Sequence, residues 1–134
     1  MPRITIIPPE QASDELKEIY EGLISQRGKI AEIHKALSLN PEAIVKHMEM
    51  YMTVMFGSSP LKRVQREIMA VVVSKANDCE YCQVHHGEAV NHYWKAPAQL
   101  RQLIQDYTLL ELNEQDRLLC DLAQELTLHP SSER

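Results

Sequence analysis

Residues 61–75 read LKRVQREIMAVVVSK, and the architecture turns on whether this stretch is a helix or a strand. Its second half, Ile68 to Val73, is apolar throughout and dense in β-branched residues. That suits a buried strand as well as a helix buried on most sides. Three features favour the helix. Pro60 stands just ahead, where its fixed φ suits a helical start. Arg63, Arg66 and Glu67 break the alternation of a half-buried strand. Four glycines in 134 residues leave few of the tight turns that hairpins need.

Working outward gives more helices. Upstream, Pro41 fits a first helical position, and Ile44, Val45, Met48, Tyr51, Met52, Met55 and Phe56 mark one wide apolar face ended by Gly57-Ser58-Ser59-Pro60. Earlier, Leu16, Ile19, Tyr20, Leu23 and Ile24 recur at helical spacing behind a capping Ser13 or Asp14, with Gly28 at the end. Ile30 to Leu39 is a short candidate stopped by Asn40-Pro41. Residues 1–9 read as an extended arm, because Ile4-Thr5-Ile6 alternates briefly before Pro8-Pro9 removes two donors. Downstream, Asn77-Asp78 supplies a turn and a cap for a helix from Cys79 to about Trp94, and another follows Pro97 through Tyr107. Asn113 caps a last amphipathic helix whose buried side is read as Leu118, Leu119, Leu122 and Leu126. Residues 129–134 read as a frayed polar tail. The expectation is a single all-α domain over residues 1–134, of about six helices.

Composition narrows the function. A chain of 134 residues buries roughly two-thirds of its unfolded surface, so it needs no disulfide framework, and three cysteines would not build one. Fourteen Lys and Arg against 19 Asp and Glu, with no dense basic cluster, argue against nucleic acid as a partner. The longest apolar run, six residues, is far below the roughly 20 that span a bilayer, so no membrane partner is expected. The N-terminus carries no long apolar segment and no small-residue cleavage site, which makes the cytoplasm the expected location. Cysteines there stay reduced unless they do redox chemistry or bind metal.

Cys79-Glu80-Tyr81-Cys82 falls at a helix N-terminus, where unpaired N–H groups and the helix dipole stabilise a thiolate. At about 100° per residue, Cys79, Cys82 and His86 lie within roughly 60° on one helix face, so His86 can reach a sulfur. His85, rotated roughly 100° from His86, is the poorer partner. The motif serves thiol redox centres and zinc sites alike. For zinc, His86 and one of His85 or His92 would complete the ligands, but no second cysteine knuckle lies near. Covalent haem attachment wants His directly after the second cysteine, and Gln83 stands there. Glu67 has Val64, Ile68, Ala70 and Val71 as helical neighbours. Burial among them raises a carboxyl toward the range useful for proton transfer. The alternative is an ion pair with Arg63 or Arg66 on a solvated face.

Glu67, eleven residues, Cys79, two, Cys82, three and His86 reproduce the E-x11-C-x2-C-x3-H signature of the alkylhydroperoxidase D family, in the carboxymuconolactone decarboxylase-like superfamily. Gly57-Ser58-Ser59-Pro60-Leu61 ahead of the glutamate, and Ala76-Asn77-Asp78 and His85-His86 around the cysteines, resemble its branch of uncharacterised peroxidase-related enzymes. The core of the resemblance runs over residues 41–95. It implies an alkylhydroperoxidase D-like helical domain and a thiol-dependent peroxidase. Cys82 would attack the hydroperoxide, Cys79 would resolve the sulfenic acid to a disulfide, and Glu67 and His86 would form the proton relay. It also implies an external dithiol reductant such as a lipoyl or thioredoxin-like protein, no cofactor or metal, and association as trimers or hexamers.

One departure stands out. The best-known peroxidase of the family has a second histidine between the cysteines, where this chain has Tyr81. A phenol is a poor base near neutrality, and His85 is a partial substitute. The alternative is therefore a thiol–disulfide exchange or adaptor module with little peroxide turnover, and after it a structural zinc site. The decarboxylases of the superfamily generally lack the cysteine pair, which disfavours ring-opening decarboxylation. Relatives in the branch continue past a segment like 116–130 with further helices. A short or truncated member is therefore expected, with apolar surface beside the active helices that neighbouring subunits cover.

The remaining residues read as packing. Cys120, between Leu119 and Leu122, is a small buried hydrophobe. His34, His47, His92 and His129 have no acid or thiol at a suggestive spacing. Met48, Met52 and Met55 form a stripe that is core first, and Tyr93-Trp94 either wall the site or fill a gap.

Overall fold

The computed structural model describes residues 3–131. Of the arm read over 1–9 and the tail over 129–134, residues 1–2 and 132–134 lie outside the described residues. The fold is all-α: among the described residues there are seven α-helices, two short 3-10 helices and no strand, one α-helix more than the expected six. Two compact units divide in sequence between Gly57 and Ser58.

In the first unit a 3-10 turn, Pro9–Gln11, precedes α1 (Asp14–Arg27), α2 (Glu32–Ala36) and α3 (Pro41–Phe56). α1 stops at Gly28, whose φ of 75° is the left-handed conformation that ends helices without a Cβ penalty. α3 begins at Pro41 as its sequence signals, and the structure adds a cap, Asn40 Oδ1 accepting from the Ala43 N–H at 3.3 Å. Leu16, Tyr20 and Leu23 of α1 close on Ile44 of α3, and Met48 packs against that core. The rest of the methionine stripe divides, Met55 being buried and Met52 exposed. Two hydrogen bonds tie the arm down. The Ile7 N–H donates to Ser38 Oγ and the Tyr20 hydroxyl donates to the Ile7 carbonyl, both at 2.9 Å.

The second unit contains α4 (Arg63–Ala76), α5 (Glu80–Trp94), α6 (Pro97–Gln105), a 3-10 turn at Tyr107–Leu109, and α7 (Glu114–Leu128). α4 is packed by α5, α6 and α7, which is why its β-branched run is apolar nearly all round. Ile68, Val71 and Val72 of α4 share one core with Val90, Leu103, Tyr107, Leu110, Cys120 and Ala123. Gln65 links two helices: its Oε1 accepts from the Lys62 N–H at 2.8 Å, and its Nε2 donates to Asp116 Oδ1 at 2.6 Å.

The last helix is rolled differently from its apolar pattern. Its buried residues are Cys120 and Ala123, Leu119 is half-buried, and Leu118, Leu122 and Leu126 are 60%, 42% and 44% exposed. Small side chains let α7 approach the core closely, and polar anchors fix its roll. Arg117 Nη2 donates to the Leu110 carbonyl at 2.6 Å, and the Tyr107 hydroxyl donates to Asp121 Oδ1 at 2.7 Å. No helix among the described residues is long and apolar enough to cross a membrane.

Candidate active site

The turn between α4 and α5 sets the site. Asp78 takes a left-handed φ of 52°, its N–H donates to the Lys75 carbonyl at 3.0 Å, and the Cys79 N–H donates to the Ser74 carbonyl at 2.9 Å. That crossed pair is a Schellman ending, here built on an aspartate in place of the usual glycine. The cap of α5 is accordingly not Asp78, as its sequence position suggests, but Cys79, whose sulfur accepts from the Cys82 N–H at 3.3 Å. Asp78 is occupied in turning the chain.

Cys79 and Cys82 are joined in a disulfide with Cα atoms 5.3 Å apart. In this form neither sulfur is a thiolate donor. Both residues are half-buried at the N-terminus of α5, and His86 follows Cys82 by four residues, one turn along the same face.

His86 Nδ1 lies 2.7 Å from Glu67 Oε2, which joins α5 to α4. Glu67 is 0% exposed. Its other oxygen, Oε1, accepts from Arg63 Nε at 2.8 Å and also from Arg63 Nη2. The two sequence alternatives for Glu67 thus merge: it is both buried in the apolar face and paired with Arg63. The direction of its shift is the reverse of the burial expectation. Burial pushes the carboxyl up, but hydrogen bonds from His86 and Arg63, with their charges, outweigh it and hold Glu67 below the usual carboxylate value. An ionised carboxylate only accepts, so His86 Nδ1 carries the proton of that bond, and it is in the neutral imidazole that Nε2 keeps a lone pair.

Tyr81 and His85 lie along the outer side of this array. The Tyr81 ring stacks on His85 with centroids 6.2 Å apart, and His85 meets His86 edge to face at 5.3 Å. Tyr81 is 47% exposed, in the first turn of α5 between the cysteines. The histidine bonded to Glu67 is His86. Cys120 is buried in the core of α7, where burial pushes its thiol up to about 11. Among the described residues no group of three or more His, Cys, Asp or Glu is arranged to hold a metal ion. Arg63 is the site residue to which the sequence assigned only a solvated ion pair; its position four residues before Glu67 was the available signal.

Comparison with known proteins places the chain among relatives of the same fold. The sequence profile described as the carboxymuconolactone decarboxylase family matches residues 42–105. A solved structure titled an uncharacterized peroxidase-related protein, from Silicibacter sp. TM1040, is 30% identical, with a TM-score of 0.82 over 99% of this chain and 67% of that one. The chain belongs to the carboxymuconolactone decarboxylase family. A second structure, titled an alkylhydroperoxidase AhpD core and uncharacterized peroxidase-related protein from Ralstonia eutropha JMP134, shares the fold. It has a TM-score of 0.84 at 20% identity, covering 98% of this chain and 70% of that one. No curated protein matches the chain significantly. The segment matched by the family profile contains Arg63, Glu67, Cys79, Cys82 and His86, so every member of the array lies within the shared region.

Proposed function

We propose that this protein is a thiol-dependent peroxidase that reduces hydroperoxides by cycling Cys79 and Cys82 between dithiol and disulfide. One observation carries the reading: the buried Glu67 is hydrogen-bonded to the histidine one turn beyond Cys82, on the helix that opens with the disulfide. The peroxidase-related title of the Silicibacter relative supports it.

In the reduced enzyme His86 takes the proton of the Cys82 thiol. The thiolate attacks the peroxide, so that an S–O bond forms, the O–O bond breaks and the alcohol leaves with a proton returned by His86. Cys79, one turn away, attacks the sulfenic sulfur and water departs, giving the disulfide before further oxidation occurs. A dithiol protein of lipoyl or thioredoxin type then reduces the pair by exchange.

The exposed Tyr81 favours a second reading, exchange of the disulfide with a partner protein without efficient peroxide turnover. Stopped-flow oxidation of the reduced protein by peroxide separates the two, using wild type, Cys82→Ser and Glu67→Gln with zinc content measured on the same samples. A wild type no faster than a free thiol overturns the peroxidase, and stoichiometric zinc on the pair overturns both redox readings. Glu67→Gln should slow the second-order step at least about tenfold. We also propose homo-oligomers, with the Leu118, Leu122 and Leu126 stripe of α7 as the self-association face.

A further inference from the structure

The two oxygens of Glu67 are divided between two partners of different kinds. Oε1 receives both Nε and Nη2 of Arg63, while Oε2 faces His86 Nδ1. A guanidinium cannot give up a proton in a protein, so Oε1 has no room for one. A proton could enter only at Oε2, and there Nδ1 already donates. Arg63, Glu67 and a neutral His86 sum to zero charge. When the S–H bond of Cys82 breaks and its proton forms an N–H bond at His86 Nε2, the thiolate keeps the electron pair and the imidazolium balances it, so the sum is again zero.

Apart from the Cys120 thiol, buried in the core of α7, the other charged or titratable groups on the packed helices have partners or solvent of their own. Arg66 Nε donates to the Leu61 carbonyl, Asp116 accepts from Gln65, Asp121 accepts from Tyr107, Arg117 donates to the Leu110 carbonyl and His85 packs with Tyr81. Lys75, Glu80, Glu88 and Arg101 are exposed.

We propose that Arg63 is a positioning residue that locks Glu67 as a carboxylate, so that the proton leaving Cys82 stops on His86 Nε2 and does not pass on to Glu67. This rests on the peroxidase reading for the step it serves, but the lock itself is measurable without peroxide. In this scheme Arg63 acts through Glu67.

The test is a carboxyl carbon NMR titration of the full chain in its disulfide form, where the two sulfurs do not titrate, with Glu67 assigned by the resonance lost in Glu67→Gln. In wild type, Glu67 should protonate at lower pH than the exposed glutamates. Arg63→Met should move its midpoint up by at least about one pH unit, a tenfold gain in proton affinity, while Arg63→Lys, which keeps the charge but not the fork, should move it less. Arg63→Gln is the second neutral variant should Arg63→Met not fold. In reduced protein the acid limb of peroxide oxidation should move up further in the neutral variants than in Arg63→Lys. A Glu67 curve in a folded neutral variant that superposes on the wild type overturns the proposal. The expected Glu67 shift with no peroxide reactivity in wild type overturns the peroxidase reading and leaves the lock standing.

Discussion

Glu67→Gln removes a charge at nearly constant shape. Glutamine fills the same buried volume, but the Arg63 fork loses its carboxylate and His86 Nδ1 loses a charge-assisted bond. Breaking a buried ion pair by removing one partner costs about 3–5 kcal/mol. Arg63 and His86 are both partly exposed, so water reaches each and recovers part of that cost. The expected loss at pH 7 is about 2–3 kcal/mol. Its pH dependence is the sharper signature. The folded-state pKa of Glu67 is depressed, so its contribution is fully present above the unfolded carboxyl value and is lost as pH falls through the folded one. Urea unfolding of the disulfide forms should give the full gap between wild type and Glu67→Gln at neutral pH, and the gap should close below about pH 4. A variant as stable as wild type at pH 7 would refute the reasoning, and so would a gap that persists unchanged into acid.

The remaining predictions concern the elements around the array. Asp78→Val should lose about 1–2 kcal/mol in the same unfolding assay, because a β-branched residue resists the left-handed turn, whereas Asp78→Gly should lose nothing. The Cys120 thiol, pushed up to about 11 by burial, should stay silent to a thiol reagent in native reduced protein and react only after unfolding; a rapidly titrating third sulfur contradicts that placement. Leu122→Glu should lower the mass seen by light scattering while changing unfolding free energy by no more than about 0.5 kcal/mol. A wild type that runs as a 15.4 kDa monomer at every concentration rules out the α7 stripe as a self-association face.

Local chemistry was legible at several positions where one residue decides the backbone, though not at Asp78, which turns the chain instead of capping α5. Pro41 and Asn113 start helices where the sequence puts them, and Gly28 ends one, because caps and fixed torsions act within a turn. The β-branched run of α4 was legible only by argument from its neighbours, since periodicity alone does not separate a buried strand from a buried helix. The roll of α7 was not legible. Its largest apolar stripe is Leu118, Leu122 and Leu126, yet the side turned inward is Cys120 and Ala123, chosen by close approach to the core and by Arg117 and Asp121. Hydrophobic pattern shows which faces are apolar, not which of two apolar faces the rest of the chain will cover. The sign of the Glu67 shift was hidden for a related reason: burial is local to one helix, while the His86 bond that helps reverse it comes from another.

The spacing of the signature follows from the geometry of the helical hairpin that α4 and α5 form. Cys79, Cys82 and His86 lie on one helix, so their separations of three and four are set by the 3.6-residue turn. The eleven residues between Glu67 and Cys79 answer to a different constraint. From Glu67 to the end of α4 at Ala76 the helix rises about 14 Å, and from the start of α5 at Glu80 to His86 it rises about 9 Å. With the tight Asn77 to Cys79 turn between them, the two paths run back alongside each other and differ by about one turn, within the reach of a glutamate and an imidazole side chain. One residue more or less in α4 would rotate Glu67 by about 100° away from α5. The interval is therefore a ruler, and the left-handed turn at Asp78 is the fold on which it is read.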